Sequence, residues 1–121
     1  GATMVFIASV SGISSAPGHA PYGAAKAALM SLVRTLAVEL GPHDVRVNAI
    51  APGIVWTPRV AAMLGEDGRV RHAENTPLRR VARPEDIASV ALFLTSALSA
   101  YVTGQTIVVD GGTGQKFPYP V

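Results

Sequence analysis

Tyr22 and Lys26 stand four residues apart at the start of a segment with helical spacing, so both side chains project from one face. A phenol on its own exchanges protons poorly near neutral pH, its reference pKa being about 10, and a neighbouring ammonium favours the phenolate. Ser9 ends a β-prone run, and strand ends of open α/β sheets are where ligands bind. A hydroxyl there can donate a hydrogen bond to a carbonyl or alkoxide oxygen while a tyrosine moves the proton. Taken alone, the Tyr–Lys pair fits an ordinary helix face, with a half-buried ring and a solvated amine, better than it fits a site. The weight therefore falls on the surrounding elements.

Thr3 to Ala8 is a continuous β-prone run of the kind that suits a strand buried on both faces of a parallel sheet. Ser9 to Pro21, rich in Ser, Gly and Pro, reads as a loop. In Tyr22 to Leu40, Leu29, Val33, Leu36 and Leu40 recur at three- and four-residue steps, and Ala24, Ala25, Ala27 and Ala28 raise helix propensity. Gly41-Pro42 stops that helix. Val45 to Ala51 is a second strand, cut off by Pro52-Gly53. Two strands bridged by a long helix make a β-α-β unit, whose crossover implies parallel pairing.

Thr57-Pro58 supplies an N-cap and a first-turn proline for a short helix to about Leu64, which Gly65 to Gly68 breaks. Residues 69 to 82 look irregular and Arg-rich, so 58–82 reads as a mobile flap over substrate. Pro84-Glu85-Asp86 starts a last helix running to about Ser96, with its acids placed for the helix dipole and Ile87, Val90, Ala91 and Leu94 as its buried stripe. Gln105 to Val109 forms a third strand, ended by Asp110-Gly111-Gly112. The tail, 113–121, has no period and is expected to lie against a neighbouring surface.

Composition narrows the function classes. The 121 residues are 49% hydrophobic and 15% charged, which suits a single domain with a core. The absence of cysteine excludes a disulfide framework, a Cys-type zinc site and a thiolate nucleophile. Net charge is +2, and basic residues gather only at Arg69, Arg71, Arg79, Arg80 and Arg83, where a solvated loop explains them better than phosphate or nucleic-acid binding. His19, His43 and His72 lack metal spacing and are expected on the surface or in loops, with His19 the one that can face substrate. No apolar run approaches the roughly 18 residues of a membrane span, and the first residues lack a signal-peptide pattern. A cytoplasmic protein without membrane or nucleic-acid partners is expected.

Several motifs occur together and in order. Ser9-Val10-Ser11-Gly12, the thirteen-residue step from Ser9 to Tyr22, and Tyr22-Gly23-Ala24-Ala25-Lys26 resemble the short-chain dehydrogenase/reductase family. Asn48-Ala49-Ile50-Ala51-Pro52-Gly53 with Thr57, then Pro84-Glu85-Asp86-Ile87-Ala88, then Thr103-Gly104-Gln105 to Asp110-Gly111-Gly112, continue the resemblance to residue 112. It implies the C-terminal half of a Rossmann-like, doubly wound α/β parallel sheet: three strands with helices in a single partial domain, 1–121, the N-terminal nucleotide-binding half missing.

By that resemblance Tyr22 is the general acid or base, Lys26 holds the nicotinamide ribose and lowers the phenol's pKa, and Ser9 orients the substrate oxygen. Pro52, Gly53, the backbone of Val55 and the Thr57 hydroxyl would meet the nicotinamide, the glycine allowing close approach to the ring. Trp56 can wall the pocket or simply pack. Asn48 and Asp110 are expected to be structural, the amide bridging backbone groups.

The chain departs from the family in lacking the glycine-rich turn that seats a pyrophosphate, the residue that selects NAD or NADP, and the helical asparagine upstream of the serine. Smaller departures are Ala8 before the serine and Pro77-Leu78-Arg79-Arg80 in place of Pro-Leu-Gly-Arg. The implied function is an NAD- or NADP-dependent oxidoreductase interconverting an alcohol and a ketone, present as a C-terminal half and inactive by itself. The alternative is a non-catalytic truncated relative that acts by packing or dimerisation. An open edge on the first strand implies a partner: the missing half as another chain, a second copy by swapping, or a longer polypeptide of which this chain is a fragment or cleavage product; a homo-oligomer is expected.

Overall fold

Strands β1 (Ala2–Ile7), β2 (Val45–Pro52) and β3 (Thr106–Val109) pair in parallel, in the order β1-β2-β3, in a computed structural model that describes residues 1–120. Helix α1 (Ala20–Leu40) crosses from β1 to β2, while α2 (Pro58–Asn75) and α3 (Pro84–Thr95) lie between β2 and β3 in the chain. Ile7 lies opposite Ile50, and Pro52 opposite Val109. All three strands therefore end on one side of the sheet, and that register brings the segments after Ile7, Pro52 and Val109 together. This is the three-stranded α/β half-sheet that the resemblance implies.

Strand β2 is the centre of the core because a helix covers each of its faces. Val47, Ala49 and Ala51 cluster with Met30, Val33 and Ala37 of α1 and with Ala8. The small alanines let the helix close on the sheet, and burial of a side chain such as Val33 is worth about 1.5–3 kcal/mol. The alternate residues, Arg46, Asn48 and Ile50, lie on the other face, where α3 packs. The Arg46 guanidinium donates to the carbonyls of Leu94, Ser96 and Val102 at 3.0–3.2 Å, satisfying orphan carbonyls where α3 ends. Asn48 is 1% exposed; its amide donates to the Val102 carbonyl at 2.9 Å and accepts from the Gln105 N–H at 3.0 Å. That is the bridging role expected of it.

Some expectations need correction. Strand β1 is offset by one residue from Thr3 to Ala8 and is not buried on both faces: Met4 is 39% and Ile7 47% exposed, since this strand pairs with β2 alone. The Ser9–Pro21 loop contains a 3-10 turn at Val10–Gly12, and α1 starts two residues early at Ala20. The stretch 69–75 is helical. At Gly65 (φ 65°, ψ 179°) the chain kinks, then resumes a helix to Asn75, where the Arg69 guanidinium bonds both carboxylate oxygens of Glu66. In the tail, Lys116 bonds Asn75, but Phe117 and Tyr119 are exposed; Val121 lies outside the described residues. None of the described helices is long and apolar enough to cross a membrane.

Candidate active site

Close packing between the loop after β1 and the first turns of α1 assembles the candidate residues. Ser9, only 9% exposed, caps the Val10–Gly12 turn by accepting the Ser11 N–H at 3.1 Å, which leaves its own hydroxyl proton for another acceptor. A Cβ on Gly12 would lie 2.8 Å from the Ala27 nitrogen and 2.9 Å from the Lys26 carbonyl carbon. One on Gly23 would lie 2.7 Å from the Ser11 carbonyl oxygen. Glycine at both places lets the turn and the helix touch backbone to backbone.

Across that contact the Lys26 ammonium donates to the Ile7 carbonyl at 3.0 Å, two residues before Ser9 in the chain. The ammonium lies 5.6 Å from the centre of the Tyr22 ring, and Tyr22 is 50% exposed. The structure thus puts the helical pair at the β1 strand end. His19, expected to face substrate, lies edge-on to the Tyr22 ring at 6.0 Å, and its Nδ1 is 3.3 Å from the Ser11 hydroxyl. Sequence reasoning missed this Ser11–His19–Tyr22 array; a hydroxyl two residues after Ser9 and an imidazole three before Tyr22 were its only linear trace.

Pro52, Gly53, Val55 and Thr57 form a second group at the end of β2. Gly53 donates its N–H to the Val109 carbonyl at 3.0 Å, and a Cβ on it would meet the Asp110 Cβ at 3.0 Å. The neighbouring strand end thus also favours glycine at this position. Val55 sits in a parallel bridge with Ala82, in which the Trp56 N–H donates to the Ala82 carbonyl at 2.7 Å. The residue at the centre of such a bridge keeps its own groups out of the pairing. The Val55 carbonyl accepts the Thr57 N–H at 3.0 Å, and its N–H has no partner among the described residues. Thr57 caps α2 by accepting the Val60 N–H at 3.2 Å.

Beside this group opens a cavity of about 560 Å³ walled by four separated segments, with Val10, Ile54, His72, Leu78 and Asp110 among its lining residues. Ser9, Tyr22 and Lys26 do not line it, although Val10 follows Ser9 directly. His72 is therefore a half-buried cavity residue on helix α2, not in a loop. Asp110 accepts the N–H groups of Gly112 and Gly114 at 2.9 and 2.8 Å, a turn-shaping role that matches the structural one assigned to it. Among the described residues no group of acids and histidines is arranged to hold a metal ion.

The arginine cluster is largely engaged within the chain. Arg69 bonds Glu66, Arg79 donates to the Glu74 carbonyl at 2.6 Å, and Arg80 grips Asp86 with two bonds of 2.6 and 2.9 Å. Those Arg80 bonds first, and then the Arg83 N–H at 2.7 Å, hold the Asp86 carboxyl well below the usual carboxylate range. A carboxyl whose folded value is depressed stabilises the fold fully above its unfolded value of about 3.9, and the contribution fades as pH drops toward the folded value. The melting temperature of the chain is accordingly expected to fall more steeply below about pH 4 than that of an Asp86→Asn variant. Equal slopes in a pH series of thermal melts would show that the pair adds nothing.

Comparison with known proteins agrees with this geometry. Residues 1–114 match a family model described as enoyl-(acyl carrier protein) reductase. Dehydrogenase/reductase SDR family member 4 from Homo sapiens is 41% identical over 118 residues, which make up 96% of this chain and 42% of that protein. A 3-oxoacyl-[acyl-carrier protein] reductase from Brucella melitensis, solved with bound NAD, is 41% identical with a TM-score of 0.74, covering 91% of this chain and 40% of its own. A gluconate 5-dehydrogenase from Burkholderia cenocepacia, in complex with NADP and tartrate, is 29% identical with a TM-score of 0.86, covering 95% and 46%. The chain spans less than half the length of each of these proteins. Within that span the match reaches from the first strand past the third, and the chain belongs to the short-chain dehydrogenase/reductase family.

Proposed function

We propose that this chain supplies the proton-transfer half of a nicotinamide-dependent oxidoreductase that interconverts an alcohol and a ketone. The observation that carries this reading is the Lys26 ammonium, bonded to the Ile7 carbonyl at the strand end and 5.6 Å from the Tyr22 ring, with the Ser9 hydroxyl fixed two residues further on. Ser9 donates to the substrate oxygen and orients it. Tyr22 gives its phenolic proton to that oxygen in reduction and takes it back in oxidation. Lys26 stabilises negative charge on the phenolate oxygen.

The residues present fit the nicotinamide end of a dinucleotide. The unpartnered Val55 N–H suits a carboxamide oxygen, the Thr57 hydroxyl lies two residues further along that loop, and the Lys26 ammonium suits ribose hydroxyls. When bound, an NAD or NADP molecule supplies or accepts the hydride. The adenosine and pyrophosphate have no such partners here, because the 121 residues contain no glycine-rich turn between a strand and a helix. A complementary N-terminal half completes the site, and residues 58–82 cover the substrate.

Calorimetric titration of the chain with NAD and with NADP tests this division of labour: weak or no binding is expected, and tight binding to the chain alone would contradict it. Supplying a complementary N-terminal half from a relative is expected to yield turnover of alcohols with formation of reduced nicotinamide. A completed protein that binds dinucleotide but turns over no alcohol or ketone would overturn the oxidoreductase reading in favour of a non-catalytic packing partner.

A further inference from the structure

Among the described residues, helix α2 has no substantial packing on any strand or on α1 and α3, yet His72 and Asn75 in its last turn wall the cavity beside the Gly53 loop. Something other than the core must hold that wall in place. One end of residues 66–75 is the Gly65 kink, at φ 65° and ψ 179°, a backbone open to glycine and strained for residues with a Cβ. At the other end the helix leaves the carbonyls of residues 72 to 75 without partners inside it. Thr76 takes the first two, its hydroxyl donating to the His72 carbonyl at 2.7 Å and its N–H to the Ala73 carbonyl at 3.2 Å. The last two go to cations from outside the helix. The Arg79 guanidinium donates to the Glu74 carbonyl at 2.6 Å. The Lys116 ammonium, 41 residues along the chain, donates to the Asn75 carbonyl at 2.6 Å and to the Asn75 side-chain oxygen. Positive charge is also favoured there by the helix dipole.

Arg79 makes its bond from a backbone at φ 59°, in the left-handed region that disfavours any side chain, at the place where the Pro-Leu-Gly-Arg pattern has glycine. An arginine held in that conformation points to a use for its guanidinium. Both cations are exposed, so water can replace either bond, and one such bond shifts a local equilibrium by only a few-fold. Two of them hold the helix without locking it. We propose that Arg79 and Lys116 form a clasp that keeps residues 66–75 down over the cavity, and that its release, pivoting at Gly65, admits and discharges ligands. That the ligand is a substrate rests on the oxidoreductase reading; the clasp does not. Neither residue lines the cavity, so both act through the helix, as positioning residues.

The chain has no cysteine, so Val70→Cys on α2 and Thr35→Cys on α1, both at exposed positions, provide one pair of spin labels that reports where residues 66–75 stand. Double electron–electron resonance on the full chain without nicotinamide is expected to show one main distance and a minor longer one. Lys116→Met keeps the stem and removes the ammonium. Arg79→Asn removes the guanidinium and leaves a residue that tolerates the left-handed backbone. Each should raise the ratio of long to short distances about two- to tenfold, and the two together by about the product, with the melting temperature within about 3 °C of the unmodified chain. Lys116→Arg, which keeps a cationic donor, should leave the ratio nearly unchanged.

A ratio that moves in neither single variant nor the double would overturn the clasp. So would a lowered melting temperature with equal spreading of a control pair, Thr35→Cys and Glu85→Cys on α3, since the bonds would then be holding the whole fold. Turnover by a completed protein whose distances ignore both substitutions would sink the clasp alone. A completed protein whose clasp responds but which turns over no alcohol or ketone would sink the redox reading alone.

Discussion

Replacing Tyr22 by Phe is expected to lower turnover by about 100- to 10,000-fold in the chain completed with an N-terminal half, with little change in the KM for alcohol. The substitution removes only the phenolic oxygen. The ring is half exposed, its edge contact to His19 needs no hydroxyl, and a phenyl group still attracts the Lys26 ammonium. Folding should be untouched, and the loss should fall on kcat, because the missing group acts in the transition state. Steady-state kinetics of the two proteins side by side decide the matter. A loss below about tenfold would mean that the proton travels by another route, and His19, 6.0 Å from the ring, would be the next residue to replace.

Asn48→Ala is expected to cost about 1–3 kcal/mol, measured by urea unfolding. Its side chain holds two backbone groups, the Val102 carbonyl and the Gln105 N–H, inside a loop that is otherwise pinned to β2. The Val47 N–H donates to the Thr103 hydroxyl at 3.0 Å, and the Gly104 N–H to the Val47 carbonyl at 2.7 Å. Because those bonds keep the loop in place, truncation takes away the acceptor that the Gln105 N–H uses, while the Val102 carbonyl still accepts from the Arg46 guanidinium. Asn48→Asp keeps an acceptor for Gln105 but sets a carboxylate against a carbonyl, so it should be at least as damaging. A loss smaller than about 0.5 kcal/mol in the alanine variant would show that the amide is dispensable.

What the linear pattern reveals depends on whether an element is decided locally. Helix α1 was legible from its apolar spacing and the Gly41-Pro42 stop, and α3 from its apolar spacing and the proline and acids of its first turn, all of which lie in or next to the segment. The Tyr22–Lys26 relation is likewise a matter of one helical turn. Strand ends came out one residue off because pairing with a neighbour sets them, as when β2 continues to Pro52 opposite Val109. Gly65 and Gly68 read as a break; only the first is one, since Gly68 lies buried within helix against the Leu64 side chain. The cavity left no linear signal at all, because its walls come from four segments that only the folded sheet brings together.

The bond between the Lys26 ammonium and the last carbonyl of β1 has a bearing on how ligands arrive. A long, freely rotating amine would forfeit its rotamer freedom on capture, at about 0.5–1.5 kcal/mol for such a side chain. Here the main chain has already drawn that entropy out through one of the three ammonium donors, so an incoming hydroxyl can accept from another at a cation that has little left to lose.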